Sequence, residues 1–292
     1  MKKWNMIIDV AKCHDCNNCF LACKDEFYEN SFPPYSVEQP RHGHRWMNIL
    51  RKEKGQYPKV DVGYLPIPCM HCDDAPCIKL SKNGAVYKRD DGIVMIDPEK
   101  SRGAKELIDA CPYGAIYWND EKEVPQKCTF CTHLLDDGWK APRCVQACPT
   151  GALSVICEED AEVEKMHATC ELQAYHPEYE TSPRVYYKNL YRFDKCFVAG
   201  SVALKDTDEC AEGATVTLFD GSKAAIAKTE TNNYGDFKID NLNIEKTEYT
   251  IEIVLRGYEN KPLDFKLDKS LNLGTIFLVK ALPQCCIKKM ER

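Results

Sequence analysis

The chain has 292 residues, 44% hydrophobic and 29% charged, with a formal net charge of −6. That length suits two domains, the charge gives no basic footprint for nucleic acid, and no run of about 18 apolar residues predicts a transmembrane segment. The informative count is 18 cysteines: disulfide frameworks at that density belong to short secreted chains, and Met1–Asp9 is too poor in apolar residues for a signal peptide, so a cytoplasmic protein with reduced, metal-binding thiols is expected.

The first motif is Cys13-x2-Cys16-x2-Cys19-x3-Cys23, the bacterial ferredoxin run without its final proline. Three thiolates on a tight loop cap three corners of an iron–sulfur cube, while the fourth, one helical turn on, points at a second cluster. Zinc sites pair two CxxC elements and have no use for a third cysteine two residues on. Two more triads follow: Cys69, Cys72 and Cys77, then Cys128, Cys131 and Cys144, whose third member is set off by the loop Asp136–Lys140. The single cysteines Cys23, Cys111 and Cys148 bring the ligands to twelve, which is three [4Fe–4S] clusters.

Between the triads runs a weak internal repeat. Ala110–Ile116 (ACPYGAI) matches Ala147–Leu153 (ACPTGAL), and Leu80–Val86 (LSKNGAV) is a third copy with Ser81 in the cysteine position. Each copy predicts a helical turn followed by a short strand, and Gly92–Asp97 reads as another strand. The ferredoxin exchange rule then assigns Cys13, Cys16, Cys19 and Cys148 to one cluster, and Cys128, Cys131, Cys144 and Cys23 to a second. Cys69, Cys72 and Cys77 are left with Cys111.

From Cys157 to Ser182 the chain is acidic and predicts a connecting helix and loop. Pro183–Phe193 is rich in aromatics, which would pack a domain junction or face a partner. Beyond Lys195, runs such as Ala214–Phe219, Thr250–Leu255 and Thr275–Val279, separated by glycine turns, predict a small antiparallel sandwich. Tyr249, Ile251 and Ile253 alternate with polar residues, placing one face in a core. The expected boundaries are 1–195 for the cluster domain, 196–282 for the β domain and 283–292 for a tail. Cys157, Cys170, Cys196, Cys210, Cys285 and Cys286 read as small apolar residues or inert thiols. His42, His44, His71 and His133 are not needed as ligands and read as hydrogen-bonding neighbours of the clusters or a partner. Lys24 and Lys127, beside ligand cysteines, either offset cluster charge or are solvated.

This layout resembles the ferredoxin-like electron-transfer subunits of the dimethyl sulfoxide reductase family, which hold four clusters in two ferredoxin-like halves. In that pattern Cys111 ends a motif with cysteines at 101, 104 and 107, where this chain has Ser101, Ala104 and Leu107. With Ser81, all four ligands of one cluster are lost together, and Leu107 and Ala104 are expected to fill part of the space. Together with Asp15–Cys19, Arg41–Asn48, Pro68–Cys72 and Pro183–Phe193, the pattern is closely similar to the small subunits of the pyrogallol–phloroglucinol transhydroxylases. Glu230–Lys238 looks like the turn and strand of prealbumin-like or collagen-adhesin B-type domains. The resemblance implies an α+β chain, a duplicated ferredoxin-like iron–sulfur domain followed by a small all-β prealbumin/immunoglobulin-like sandwich. It implies an electron-transfer subunit without catalytic residues of its own, in a heterodimer with a large catalytic subunit. That subunit would hold molybdenum on bis(pterin guanine dinucleotide) and act on phenolics. The alternative is the same role in a respiratory or catabolic molybdenum oxidoreductase; a free-standing ferredoxin would need far less chain.

Overall fold

A computed structural model of the chain describes residues 1–244 and 248–281. The expected C-terminal tail, with Cys285 and Cys286, lies outside the described residues. The chain divides into two units, residues 1–51 with 64–190, and residues 52–63 with those from 191 onward.

The first unit is built on a three-stranded sheet with Lys3–Asp9 in the middle. That strand runs antiparallel to Leu153–Glu158 and parallel to Val185–Lys188, with Ile8 opposite both Leu153 and Tyr187. Asn5 to Ile8 are all buried, so the strand is covered on both faces and reads as a continuous run without alternation. Two short hairpins, Val86–Lys88 with Val94–Ile96 and Tyr117–Asn119 with Val124–Gln126, accompany this sheet, and a longer one, Asn48–Gln56 with Lys59–Ile67, has its base in this unit. All three repeat copies take the predicted form. Helix Pro76–Leu80 leads to Val86–Lys88, the 3-10 turn Lys105–Leu107 to Tyr117–Asn119, and helix Arg143–Gln146 to Leu153–Glu158. The acidic segment forms helix Asp160–Cys170, with Asp160 and Glu162 in its first turn, where carboxylates complement the helix dipole.

The aromatic stretch 183–193 is divided between the units. Tyr187 is fully buried in the first and donates its hydroxyl to the Pro66 carbonyl at 3.0 Å. Helix Tyr191–Asp194 belongs to the second. The division falls between Leu190 and Tyr191, ahead of the boundary expected after Lys195, and the hairpin tip 52–63 joins the second unit. Local ion pairs account for this. The buried Lys54 ammonium donates to the Tyr191 and Lys195 carbonyls at 3.4 and 2.8 Å. Asp61 pairs with Arg192 at 3.0 Å and Lys238 at 2.7 Å. Composition along the chain registers the change of texture near Lys195, but not a tip recruited from more than a hundred residues away.

In the second unit Cys196–Leu204 lies between Asp236–Leu242, antiparallel to it, and Leu271–Leu278, parallel to it, so the expected antiparallel arrangement holds except at this last pair. A four-stranded antiparallel sheet runs Ala225–Glu230, Thr215–Phe219, Glu248–Val254, Lys261–Lys266. One apolar cluster draws on both sheets: Val198, Phe237 and Ile276 from the first, Val216, Leu218, Ile251 and Ile253 from the second. Tyr249, Ile251 and Ile253 all face it, as their alternation predicts. The turn before Asp236 requires glycine: Gly235 has φ +73°, and a Cβ there would lie 2.3 Å from the Val202 carbonyl oxygen. Cys196 is buried as expected, but Cys210 is exposed, being outside the strands that form this core. Among the described residues no helix is long and apolar enough to cross a membrane.

Candidate metal centre

Helix Asn18–Phe27 packs against helix Arg143–Gln146. The first carries Cys19 and, one turn on, Cys23; the second carries Cys144, with Cys148 just past its end. One helical turn of offset points successive cysteines of each helix at different neighbours. Cys23, Cys128, Cys131 and Cys144 line a single cavity of about 310 Å3, closed off by Met6, Phe27, Trp46 and Phe130. Cys69, Cys72, Cys77 and Cys111 line a second, of about 340 Å3, with Tyr113, Ile116 and Lys127. These are two of the three cysteine sets derived from spacing. The third set is the most solvent-exposed: Cys19 is buried, Cys13 and Cys148 are half-buried and Cys16 is exposed. Its thiols are mutual electrostatic neighbours, Cys13, Cys16 and Cys148 all acting on Cys19.

Burial pushes the thiols of Cys19 and Cys72 up to about 12, and those of Cys77 and Cys128 up to about 11, with like-charged cysteine neighbours adding to the effect. Cys23 and Cys144, fully enclosed, are also raised well above the ordinary thiol value for the same reasons. Cys148 goes the other way. Burial alone would raise it, but the Leu153, Ala152 and Thr150 amides and the Thr150 hydroxyl stabilise its thiolate. Enclosed thiols of this kind bind metal only with loss of their protons, so the metal's charge must replace them.

Each cavity also aims backbone amides at sulfur. The His71 N–H donates to Cys69 Sγ at 3.5 Å, the Phe130 N–H to Cys128 Sγ at 3.4 Å and the Ala115 N–H to Cys111 Sγ at 3.5 Å. Hydrogen bonds to cluster sulfurs are a main determinant of reduction potential. Among the described residues no three His, Cys, Asp or Glu side chains converge on a single-ion site. A thiol set that caps four separate irons of a cube stands wider than one that grips a single ion. All-sulfur donors, burial and N–H···S bonds therefore fit [4Fe–4S] clusters.

The histidines keep to supporting positions. His44 Nε2 meets the Trp118 carbonyl at 2.8 Å, His71 Nδ1 accepts from the Val94 N–H at 3.1 Å, and His133 Nε2 meets Glu26 at 2.9 Å; His42 is exposed. Burial, helped by Lys127 and Lys88, holds His71 well below the ordinary histidine range, so its ring is neutral. Lys127 is buried, 3% exposed, and donates to the Val94 and Cys128 carbonyls, which rules out the solvated reading. Lys24 donates to the Pro40 carbonyl at 3.0 Å.

Spacing gave no sign of the clamp on the Cys69–Cys77 loop. Arg184, 3% exposed, makes a two-pronged pair with Asp73 at 2.6 Å on both contacts and reaches Asp160 at 3.0 Å and Asn5 at 3.2 Å. Lys88 adds bonds to Asp73 and to the Cys72 carbonyl, at 2.6 and 2.8 Å. The Arg184 N–H also donates to the Met70 carbonyl. Arg184 lies within one of the quoted resemblance marks, yet its partner is more than a hundred residues away in sequence.

Ser81, Ala104 and Leu107, distant in sequence, line one space together, as the family resemblance implies, whereas Ser101, the fourth of that set, is fully buried and outside the lining. The expected filling is incomplete. Leu107 is buried at 1% exposure, but the space remains an open groove of about 620 Å3, because alanine and serine are small and the larger lining side chains, Lys82, Lys100, Arg102 and Glu106, are solvated.

The family described as the 4Fe-4S dicluster domain matches residues 60–158. The pyrogallol hydroxytransferase small subunit of Pelobacter acidigallici is 49% identical over 281 residues, 95% of this chain and 100% of that one. The arsenate respiratory reductase iron–sulfur subunit ArrB of Shewanella sp. (strain ANA-3) is 31% identical over 62% of this chain and 94% of its own length. An iron–sulfur subunit named for a dimethyl sulfoxide reductase in Halobacterium salinarum is 33% identical over 65% of this chain and 80% of its own.

Proposed function

Because this chain belongs to the family of the pyrogallol hydroxytransferase small subunits, we propose that it is the electron-transfer subunit of a heterodimeric molybdenum enzyme acting on phenolics. It has no catalytic residue of its own. Its large partner would hold molybdenum on bis(pterin guanine dinucleotide). The work is cytoplasmic, where thiols stay reduced. In this reading the first unit is a duplicated ferredoxin-like domain and the second a prealbumin/immunoglobulin-like sandwich.

The observation that carries the proposal is the gathering of Cys23, Cys128, Cys131 and Cys144 in one enclosed cavity and Cys69, Cys72, Cys77 and Cys111 in another. With Cys13, Cys16, Cys19 and Cys148 these make ligand sets for three [4Fe–4S] clusters. Each cluster, when bound, would supply a one-electron site. The chain's own residues set the conditions for that site. Thiolates hold the irons, Phe27, Trp46 and Phe130 keep water from the Cys23 set, and amides of His71, Ala115 and Phe130 donate to sulfur. The buried Lys127 ammonium places positive charge beside the Cys69 set, which favours the reduced state there.

Co-expression with a large molybdenum subunit tests the reading. A stoichiometric heterodimer with about twelve irons per small chain is expected. A stable monomer that ignores that subunit, or iron in zinc-like amounts, would sink it.

A further inference from the structure

The groove at the cysteine-free fourth position has its own chemistry. It is lined by Lys82, Lys100 and Arg102 against a single carboxylate, Glu106, on a chain whose net charge is −6. These cations are weakly committed. Lys82, its side chain 82% exposed, is 4.0 Å from Glu106, and Lys100, 57% exposed, is 3.5 Å from Asp97. Arg102 is exposed and makes no ion pair among the described residues.

Both walls of the groove continue into one ligand set. Ser81 closes the helix that carries Cys77, and Leu107 stands four residues before Cys111. Four residues along a helix rise about 6 Å, so Ser81 lies about one turn from Cys77, and the opposite wall is four residues in sequence from Cys111; both cysteines line the 340 Å3 cavity. A local positive patch on an anionic chain steers anionic macromolecules to that spot and away from the rest of the surface.

Building on the electron-transfer reading, we propose that this groove is the docking port for a small acidic one-electron carrier protein of the ferredoxin type. The carrier gives one electron to the cluster held by Cys69, Cys72, Cys77 and Cys111. The carrier is oxidised by one electron, the cluster is reduced by one, and no atom is transferred.

The test uses the anaerobically purified heterodimer, with stopped-flow bleaching of cluster absorbance as readout. The donors are a reduced acidic bacterial ferredoxin and, separately, the methyl viologen radical cation. In the wild type, reduction by ferredoxin is expected to slow as salt rises. The triple variant Lys82→Glu, Lys100→Glu, Arg102→Glu should accept electrons from ferredoxin about tenfold more slowly or worse at low salt. The corresponding glutamine triple should fall between, and viologen should reduce all three proteins without loss of rate. All three substitutions are at exposed residues, and iron content checks that the clusters remain. Ferredoxin rates that ignore both salt and the charge reversal overturn the port while leaving the electron-transfer role standing. Clusters that accept electrons from neither donor overturn the electron-transfer role itself.

Discussion

Arg184 gives the sharpest stability test. Its guanidinium is 3% exposed and holds Asp73, Asp160 and Asn5 while its backbone N–H fixes Met70. Replacing it by methionine keeps most of the buried stem and removes the charge and every side-chain hydrogen bond. Breaking a fully buried pair costs about 3–5 kcal/mol. Here the Asp73 and Asp160 side chains are 39% and 56% exposed, so water takes over part of the lost solvation, and about 2–3 kcal/mol is expected. Part of that loss comes from Asn5, fully buried and left without its donor. For a unit of this size the melting temperature should fall by roughly 5–10 °C. Burial alone would raise Asp73, but Arg184 and Lys88 outweigh it and hold the carboxyl below its ordinary 3.8. The pair's contribution is therefore complete above that pH and fades as pH falls through the depressed value, so wild type and variant should converge only in acid. Anaerobic thermal melts followed by cluster absorbance, on Arg184→Met, Asp73→Asn and the double variant, measure it. Either single change already breaks the pair, so the double should lose clearly less than the sum. An additive double, or an Arg184→Met protein that melts with wild type, would refute the clamp.

Three further outcomes follow from the ligand sets. Cys23→Ser should disturb the cluster held with Cys128, Cys131 and Cys144, while Cys148→Ser should disturb the one held with Cys13, Cys16 and Cys19; EPR of the reduced variants decides, and the reverse pattern rejects the exchange. Ser81→Cys should add no iron to the twelve or so per chain, since Ala104 and Leu107 across the groove offer no thiol; a reproducible gain of about four irons contradicts this. Lys127→Met removes a buried positive charge and should lower the midpoint potential of the cluster beside it by about 59 mV or more, a tenfold change in a one-electron equilibrium. The Cys13 set should keep its potential, and an EPR titration with no such difference would show that Lys127 serves only packing.

Two of the expected cysteine sets gather in the structure because the ferredoxin pattern is written locally: a tight loop supplies three ligands, and a helical turn sends the fourth elsewhere. The repeat was legible for the same reason and put Ser81 in a cysteine position, while the family resemblance supplied Ser101, Ala104 and Leu107 as its counterparts. Residues that act across the sequence left no such trace. The Arg184–Asp73 pair joins positions 111 residues apart, and the Lys54 bonds that draw the hairpin tip into the second unit span 137 and 141. Lys127 could be read either way from its neighbours; the Val94 carbonyl, contributed by a strand some thirty residues earlier, decides that it is buried.

At the position where the family resemblance places a fourth cluster, this chain keeps a frame without thiols. In a loaded site the irons tie the two walls together through thiolates. Here the walls are held by ordinary bonds. The Ser81 hydroxyl accepts from the Val86 N–H at 2.8 Å, so serine anchors the turn where the repeat has cysteine. The opposite wall is pinned by the Ala104 N–H on the Ser101 carbonyl and the Gly103 N–H on the Glu123 carbonyl, with Leu107 buried beneath. With no thiol on either side, each wall settles on its own hydrogen bonds. Stability at this position therefore does not depend on metal, which frees the surface residues around it to carry charge: Lys82, Lys100 and Arg102 against the single carboxylate of Glu106.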